Sequence, residues 1–258
     1  MNYFVWNADP VALILGPLQV HWYGIFFSSG LLAGLFVVRW LYSRESICLD
    51  AVDPLFIYAV VGIVLGARLG HCLFYDPGYY IANPLKIIAV WEGGLASHGG
   101  AMGALAAVWF YHLRWELPYL WILDRLAVAT GVTAFCIRVG NFFNSEITGE
   151  PTHLPWAVIF KRVDTLPRHP AQLYEALAYL LIFAFMVGAY LKTDMRERAG
   201  ALLGLLLTLV FVSRFAIEYV KTPQAFYSLP FPLSMGQALS LPFIIGGIFL
   251  LAARRKGA

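Results

Sequence analysis

Seven apolar stretches divide the chain, and each is too long for a strand. Leu18–Val38 and Gly93–Leu113 each run 21 residues without Asp, Glu, Lys or Arg. A helix rises about 1.5 Å per residue, so each can cross a hydrocarbon core of about 30 Å. Leu55–Tyr75, Trp121–Phe143, Gln172–Leu191, Gly200–Tyr219 and Ser234–Ala253 complete the set. The pattern predicts an all-α integral membrane protein of about seven transmembrane helices, forming one polytopic domain over residues 1–258. Between the spans, Asp76–Glu92 reads as a segment lying along the interface. Asn144–Ala171, with Gly149, Pro151, Pro155 and Pro167, reads as an ordered outer loop. A loop of that length is more often functional than a passive connector. Pro223, Pro230 and Pro232 are expected to delay the last helix until about Ser234.

Composition supports the membrane reading. Apolar residues make up 60% of the chain and charged residues 13%, against roughly 25% charged in a soluble domain. No basic segment precedes the first span, so it is not read as a cleaved signal peptide. With the N-terminus outside, the inner loops and tail carry Arg39, Arg44, Arg114, Arg125, Lys192, Arg196, Arg198, Arg254, Arg255 and Lys256. The outer loops carry Lys86, Lys161, Arg162, Arg168 and Lys221. That bias predicts a periplasmic N-terminus and a cytoplasmic C-terminus. It also accounts for the net charge of +3 without any role for nucleic acid. Cys48, Cys72 and Cys136 form no CxxC and no metal-ligand spacing, and read as small buried apolar residues. There is no HExxH, no cluster of carboxylates and no nucleotide motif, so neither metal nor cofactor is expected.

Candidate chemistry comes from charge in the wrong solvent. Arg68, Arg138 and Arg214 lie inside spans, where a guanidinium costs at least about 2.5–3.5 kcal/mol. By the predicted topology all three lie toward the outer surface, as do His21, Tyr23 and His98. Arg214 and Glu218 are four apart and share a helix face, so a mutual ion pair competes with a ligand-binding role. Arg68 reads as snorkelling to headgroups or as a supporting ion pair. Tyr23 reads first as an aromatic-belt residue. His98, flanked by Gly93, Gly94, Gly99 and Gly100, is either a helix-start residue or a proton-transfer group. Arg138 is followed by Asn141, Asn144 and Glu146, a polar density at the end of a span that points to function.

Six segments then carry a resemblance. HWYG at 21–24, GARLG at 66–70, GGLASHGG at 93–100, RVGNFFNSE at 138–146, HPAQLYE at 169–175 and SRFAIEY at 213–219 occur in this order. Together they resemble the motifs of the bacterial prolipoprotein diacylglyceryl transferases. The resemblance implies a seven-helix enzyme of the bacterial cytoplasmic (inner) membrane, with its active site toward the periplasmic half. Its partners would be phosphatidylglycerol, prolipoprotein signal peptides with a lipobox cysteine, and the lipid bilayer. The diacylglyceryl group would pass to the cysteine thiol as a thioether, releasing glycerol 1-phosphate, the first step of lipoprotein maturation. By position, Arg138 and Arg214 match the family's essential arginines. Tyr23, His98, Asn141, Glu146, Gly149 and Glu218 match residues regarded as important.

Such an alkylation needs a thiolate, from a thiol of pKa about 8.5, and stabilisation of a departing phosphate. Arg138 and Arg214 are expected to clamp the phosphate, with Asn141 as a neutral donor. Glu218 would hold Arg214, and Arg68 would either support the site from behind the residues that touch the substrate or make a headgroup contact. His98 is the candidate base and Tyr23 would orient substrate. Glu146 or an oxygen of the substrate phosphate are the other candidates for the proton. The competing class is an anion transporter, which usually places its site near the midplane and often shows internal repeats; neither feature is evident.

Overall fold

Helices that are apolar all round suit lipid better than water, and most of the chain is built from them. The computed structural model describes residues 3–16, 18–90, 93–222 and 233–253. Its long helices are α1 (Trp22–Arg44), α2 (Val52–Phe74), α4 (Ser97–Trp115), α5 (Tyr119–Phe143), α6 (Ala171–Lys192), α7 (Ala201–Ile217) and α8 (Met235–Ala252). A short helix, α3 (Pro77–Ala82), follows α2. Among the described residues six of these helices, all the long ones except α4, are long and apolar enough to cross a membrane. The expected third span coincides with α4, which has 19 residues and is diluted by Ser97, His98, His112 and Arg114. Arg254, Arg255 and Lys256 of the expected inner tail lie outside the described residues, as do Trp91, Glu92, Pro223, Pro230 and Pro232. The last helix does begin after Ser234, whose side chain accepts from Gln237 N while the Gln237 side chain accepts from Ser234 N, a capping box.

Strands are the departure from an all-α expectation. The first span was expected from Leu18, but Val11–Leu15 (β2) and Leu18–His21 (β3) form an antiparallel hairpin, and the helix starts at Trp22. Phe4–Trp6 (β1) runs parallel to Val158–Phe160 (β4), which pairs antiparallel with Pro167–Arg168 (β5). The β-branched and aromatic residues of these short runs suit a pleated surface, and no local pattern announces partners so far apart in sequence.

The chain forms two compact units, Val38–Leu123 and Met1–Val37 with Asp124–Ala258. In the first, α2 and α4 meet along glycines spaced four apart. A Cβ on Gly66 would collide with Gly99 O and come within 2.7 Å of Gly103 Cα, and one on Gly70 would lie 2.8 Å from Gly99 Cα. Without a hydrophobic drive between helices in lipid, such close backbone approach supplies the packing. Arg68, buried on α2, donates Nε to Ile87 O at 2.9 Å and its other nitrogens to the carbonyls of Lys86, Gly93 and Gly94. Its guanidinium also lies 5.0 Å from the Tyr80 ring centroid. One side chain thus pins the segment expected at the interface, whose Ile81, Leu85 and Ile88 are exposed.

In the second unit, Thr133 Oγ1 donates to Gly30 O at 2.9 Å, tying α5 to α1. Helices α7 and α8 approach at Gly204 and Gly247 and stack Phe211 on Phe243 at 4.2 Å. The fully buried Asp124 of α5 accepts from Gly200 N at 2.7 Å and Leu203 N at 2.8 Å, capping the start of α7 from another helix.

Gly66→Val is expected to cost about 1–3 kcal/mol or more by overpacking the α2–α4 seam, read as a fall in the thermal midpoint in detergent. Gly78→Ala, at a position where an added Cβ meets nothing within 4 Å, should leave it unchanged. Equal midpoints for the two variants would refute the seam.

Candidate active site

The site grows from the end of α5. Helix α5 carries Arg138 and Asn141 on one face, then ends at Phe143. Trp6, Phe142, Phe143, Val158 and Phe160 cluster there, with Trp6 and Phe142 ring centroids 4.5 Å apart. This aromatic plug fixes the small sheet against the helix end. The chain then reverses with Ser145 at φ 56° and Ile147 at φ 57°. A left-handed conformation is unfavourable for a non-glycine residue and an outlier for a β-branched one, of order 1–3 kcal/mol each. The reversal turns Glu146 back on the helix it has just left. Its carboxylate accepts from Asn141 Nδ2 at 2.9 Å and Asn144 Nδ2 at 3.1 Å, and its backbone oxygen accepts from Gln172 Nε2 at 2.5 Å.

Helix α6 supplies the counterion. Gln172, Glu175 and Tyr179 fall three and four residues apart, so they share a face. Glu175 is fully buried, with Oε2 3.0 Å from Arg138 Nε and Oε1 3.3 Å from Lys221 Nζ. Arg138 also donates Nη1 to Asn141 Oδ1 at 3.2 Å and lies 6.0 Å from the Tyr179 ring centroid. Lys221 in turn lies 3.6 Å from Glu218 Oε2, and Ser234 Oγ donates to Glu218 Oε1 at 3.2 Å. The Glu218 carboxylate rests on Gly236, where any Cβ would collide with it. That places it at the N-terminus of α8, where the helix dipole favours a negative charge.

The expected Arg214–Glu218 pair is therefore corrected. Helix α7 tightens into a 3-10 turn at Glu218–Val220, and the carboxylate goes to Lys221 and Ser234. Among the described residues, half-buried Arg214 has no hydrogen-bond or ion-pair partner. It and Arg138 both bear electrostatically on the Tyr179 hydroxyl, so the two guanidiniums serve one neighbourhood. Tyr23, on the first turn of α1, is similarly under the influence of Glu146 and Arg138. It packs on Gly140, where a Cβ would lie 3.1 Å from its ring.

Gly149 is a close approach. Its amide donates to His169 O at 2.9 Å, and a Cβ would lie 2.5 Å from both His169 Cβ and Val220 O. Only glycine lets the outer loop pass between the start of α6 and the end of α7. Arg168 supports the same crossing, donating Nη1 to Gly149 O at 3.1 Å and Nε to both Asp164 oxygens.

Tyr23, Arg138, Asn141, Glu146, Gly149, Arg214 and Glu218 all belong to the unit just described. Arg68 and His98 belong to the other, where Arg68 is held by carbonyls and His98 is exposed on the first turn of α4. A family profile described as prolipoprotein diacylglyceryl transferase matches residues 10–253. The chain belongs to that family. It is 49% identical over 254 residues to the phosphatidylglycerol–prolipoprotein diacylglyceryl transferase of Tolumonas auensis, covering 97% of this chain and 98% of that one. A Chloroherpeton thalassium protein of the same name is 49% identical over 258 residues, covering 100% and 96%. One from Porphyromonas gingivalis is 44% identical over 265 residues, covering 96% and 94%. The family membership, the transferase class and the transfer of a diacylglyceryl group to prolipoprotein, all expected from the six motifs, are borne out.

Sequence reasoning missed Glu175 and Lys221 as members of the charged cluster. Glu175 stood out only as the last residue of the HPAQLYE motif, and Lys221 only as an outer-loop cation. No local spacing could have joined them, since they lie 46 residues apart and the helix tightens into a 3-10 turn before Lys221.

The Arg168 guanidinium beside Asp164 holds its carboxyl below the usual carboxylate range, aided by the Leu166 amide. A depressed folded-state value means stabilisation that is complete above the unfolded value of about 3.9 and is lost as pH falls through the folded one. Asp164→Asn should cost about 1 kcal/mol near neutrality, as expected for a pair still partly open to solvent. In thermal unfolding, its difference from the parent protein should shrink only once pH has fallen below about 3.9. A difference that already disappears near neutrality would show that this pair is not the cause.

Proposed function

We propose that the chain transfers the diacylglyceryl group of phosphatidylglycerol to the lipobox cysteine thiol of prolipoproteins. The cysteine sulfur bonds to the glycerol carbon that bears the phosphate ester, the C–O bond breaks, and glycerol 1-phosphate leaves. The observation that carries this reading is the charge imbalance around Tyr179. Arg138 shares Glu175 with Lys221, and Arg214 brings a second guanidinium without a counterion among the described residues. A cation in an apolar helix without a counterion is a site waiting for an anion, and a phosphodiester is one. Guanidinium geometry matches phosphate oxygens, and a preorganised charge of this kind is usually the largest catalytic term.

In this reading Arg138 and Arg214 clamp the phosphate and stabilise it as it leaves. Asn141 is oriented by Arg138 and Glu146 to support the clamp, and Gly149 and Glu218 shape its walls. Tyr23 orients the substrate and Arg68 acts from the interfacial segment it holds. His98 takes the thiol proton; Glu146 and the substrate phosphate are the alternatives. The enzyme lies in the bacterial inner membrane as one polytopic domain of seven helices. Its N-terminus is periplasmic, its C-terminus cytoplasmic, and its site lies in the periplasmic half. The distribution of Lys and Arg supports that orientation.

Purified protein, phosphatidylglycerol and a lipobox peptide, followed by mass spectrometry, test the reaction. The peptide cysteine should gain a diacylglyceryl increment, and Arg138→Ala should slow its appearance by about 100-fold or more. Folded protein that yields no increment but supports anion flux in liposomes would replace transfer with transport. For the proton, His98→Gln is expected to abolish turnover; near-normal turnover would eliminate His98 as an obligatory base.

A further inference from the structure

We propose that Lys221 is a positioning residue that keeps Arg138 available to the substrate phosphate by dividing the charge of Glu175. The proposal deepens the transferase reading and rests on it for the identity of the anion.

The observation is a line of alternating charge: Arg138, Glu175, Lys221, Glu218. Its three contacts are 3.0, 3.3 and 3.6 Å long. The Lys221 side chain is 5% exposed and that of Glu175 0%, so these charges are poorly screened by solvent. With all four ionised the line is neutral, and each carboxylate faces two different partners. The closest approach of Glu175 to Arg138 is Oε2 to Nε, while its Oε1 is turned to Lys221. A guanidinium has five N–H donors, and Arg138 spends a second nitrogen, Nη1, on Asn141. Tyr179 is a further neighbour of the guanidinium, and in this proposal the donors that these partners leave over face the ligand.

Removing Lys221 changes that balance in two ways. Both Glu175 oxygens become available to Arg138, and a carboxylate facing a guanidinium favours the bidentate arrangement. Glu218 also loses its cation, so the line carries a net negative charge beside a site meant for an anion. Either change weakens phosphate binding with no alteration to any residue that touches the phosphate. Lys221 has the position for this control: its backbone bridges Gly149, so the same residue fixes the loop crossing and the charge line.

Direct binding of glycerol 1-phosphate and steady-state transfer kinetics together test the idea, with thermal unfolding in detergent as the folding control. Lys221→Met should weaken glycerol 1-phosphate binding and raise KM for phosphatidylglycerol, each by about tenfold or more. Lys221→Arg should restore both. The decisive variant is Lys221→Met with Glu175→Gln. It removes one charge of each sign and should bind the anion better than Lys221→Met alone. A merely structural lysine predicts the reverse, since two contacts would then be lost. Folded Lys221→Met with unchanged binding and KM would overturn the proposal. So would a folded double variant that binds no better than the single one. If the parent protein binds glycerol 1-phosphate more tightly than Lys221→Met yet transfers nothing, the transferase reading fails while the role of Lys221 stands.

Discussion

Glu175 is fully buried, and a carboxylate withdrawn from water must be met by cations or donors, at several kcal/mol if it is not. Arg138 and Lys221 meet it from opposite sides, one from α5 and one from beyond α7. Lys221 then requires Glu218, and Glu218 requires the bare backbone of Gly236 and the hydroxyl of Ser234. Four helices are thus constrained by one ionised group on α6. In the proposed reading the same constraint prepares the site for an anion. Every carboxylate in the line has a cation beside it, and Arg214 has no ion-pair partner among the described residues.

Energy for such an arrangement comes from elsewhere in the unit. The αL conformations at Ser145 and Ile147 are uphill, and they are held because both sides of the reversal are fastened. The aromatic cluster around Trp6 fastens one side. The pairing of Gly149 with His169 and Lys221 fastens the other. The N-terminal strand matters to the site for this reason, although it contributes no charged group. Close helix approach is achieved by glycines at α2–α4 and α7–α8 rather than by large apolar side chains, as expected where lipid competes equally for apolar surface.

The helices were legible because 20-residue apolar runs have a single interpretation in a chain this poor in charge. Arg138, Asn141 and Glu146 were legible because polar residues crowd the end of such a run. What failed to show was every interaction between distant segments. Glu175 and Lys221 are 46 residues apart, and nothing local marks them as partners. The pairing of Phe4–Trp6 with Val158–Phe160 spans most of the chain, and strands of three residues carry too little periodicity to announce themselves. Arg214 and Glu218 gave a false local signal. The i, i+4 rule assumes an unbroken α-helix, and the turn tightens at Glu218.

Asp124 gives α7 a fixed origin. By accepting the Gly200 and Leu203 amides it anchors the first turn of α7 to another helix, so α7 cannot slide along its axis without breaking both bonds. Arg214 lies eleven residues beyond Leu203, about 16 Å further along at 1.5 Å per residue. The helix is therefore a gauge with one end clamped, and it sets the depth at which the guanidinium stands. Substituting its apolar residues leaves that length alone. Adding or deleting one residue shifts Arg214 by about 1.5 Å and turns it by about 100°, away from the neighbourhood it shares with Arg138. For α7, residue number is a stricter requirement than residue identity.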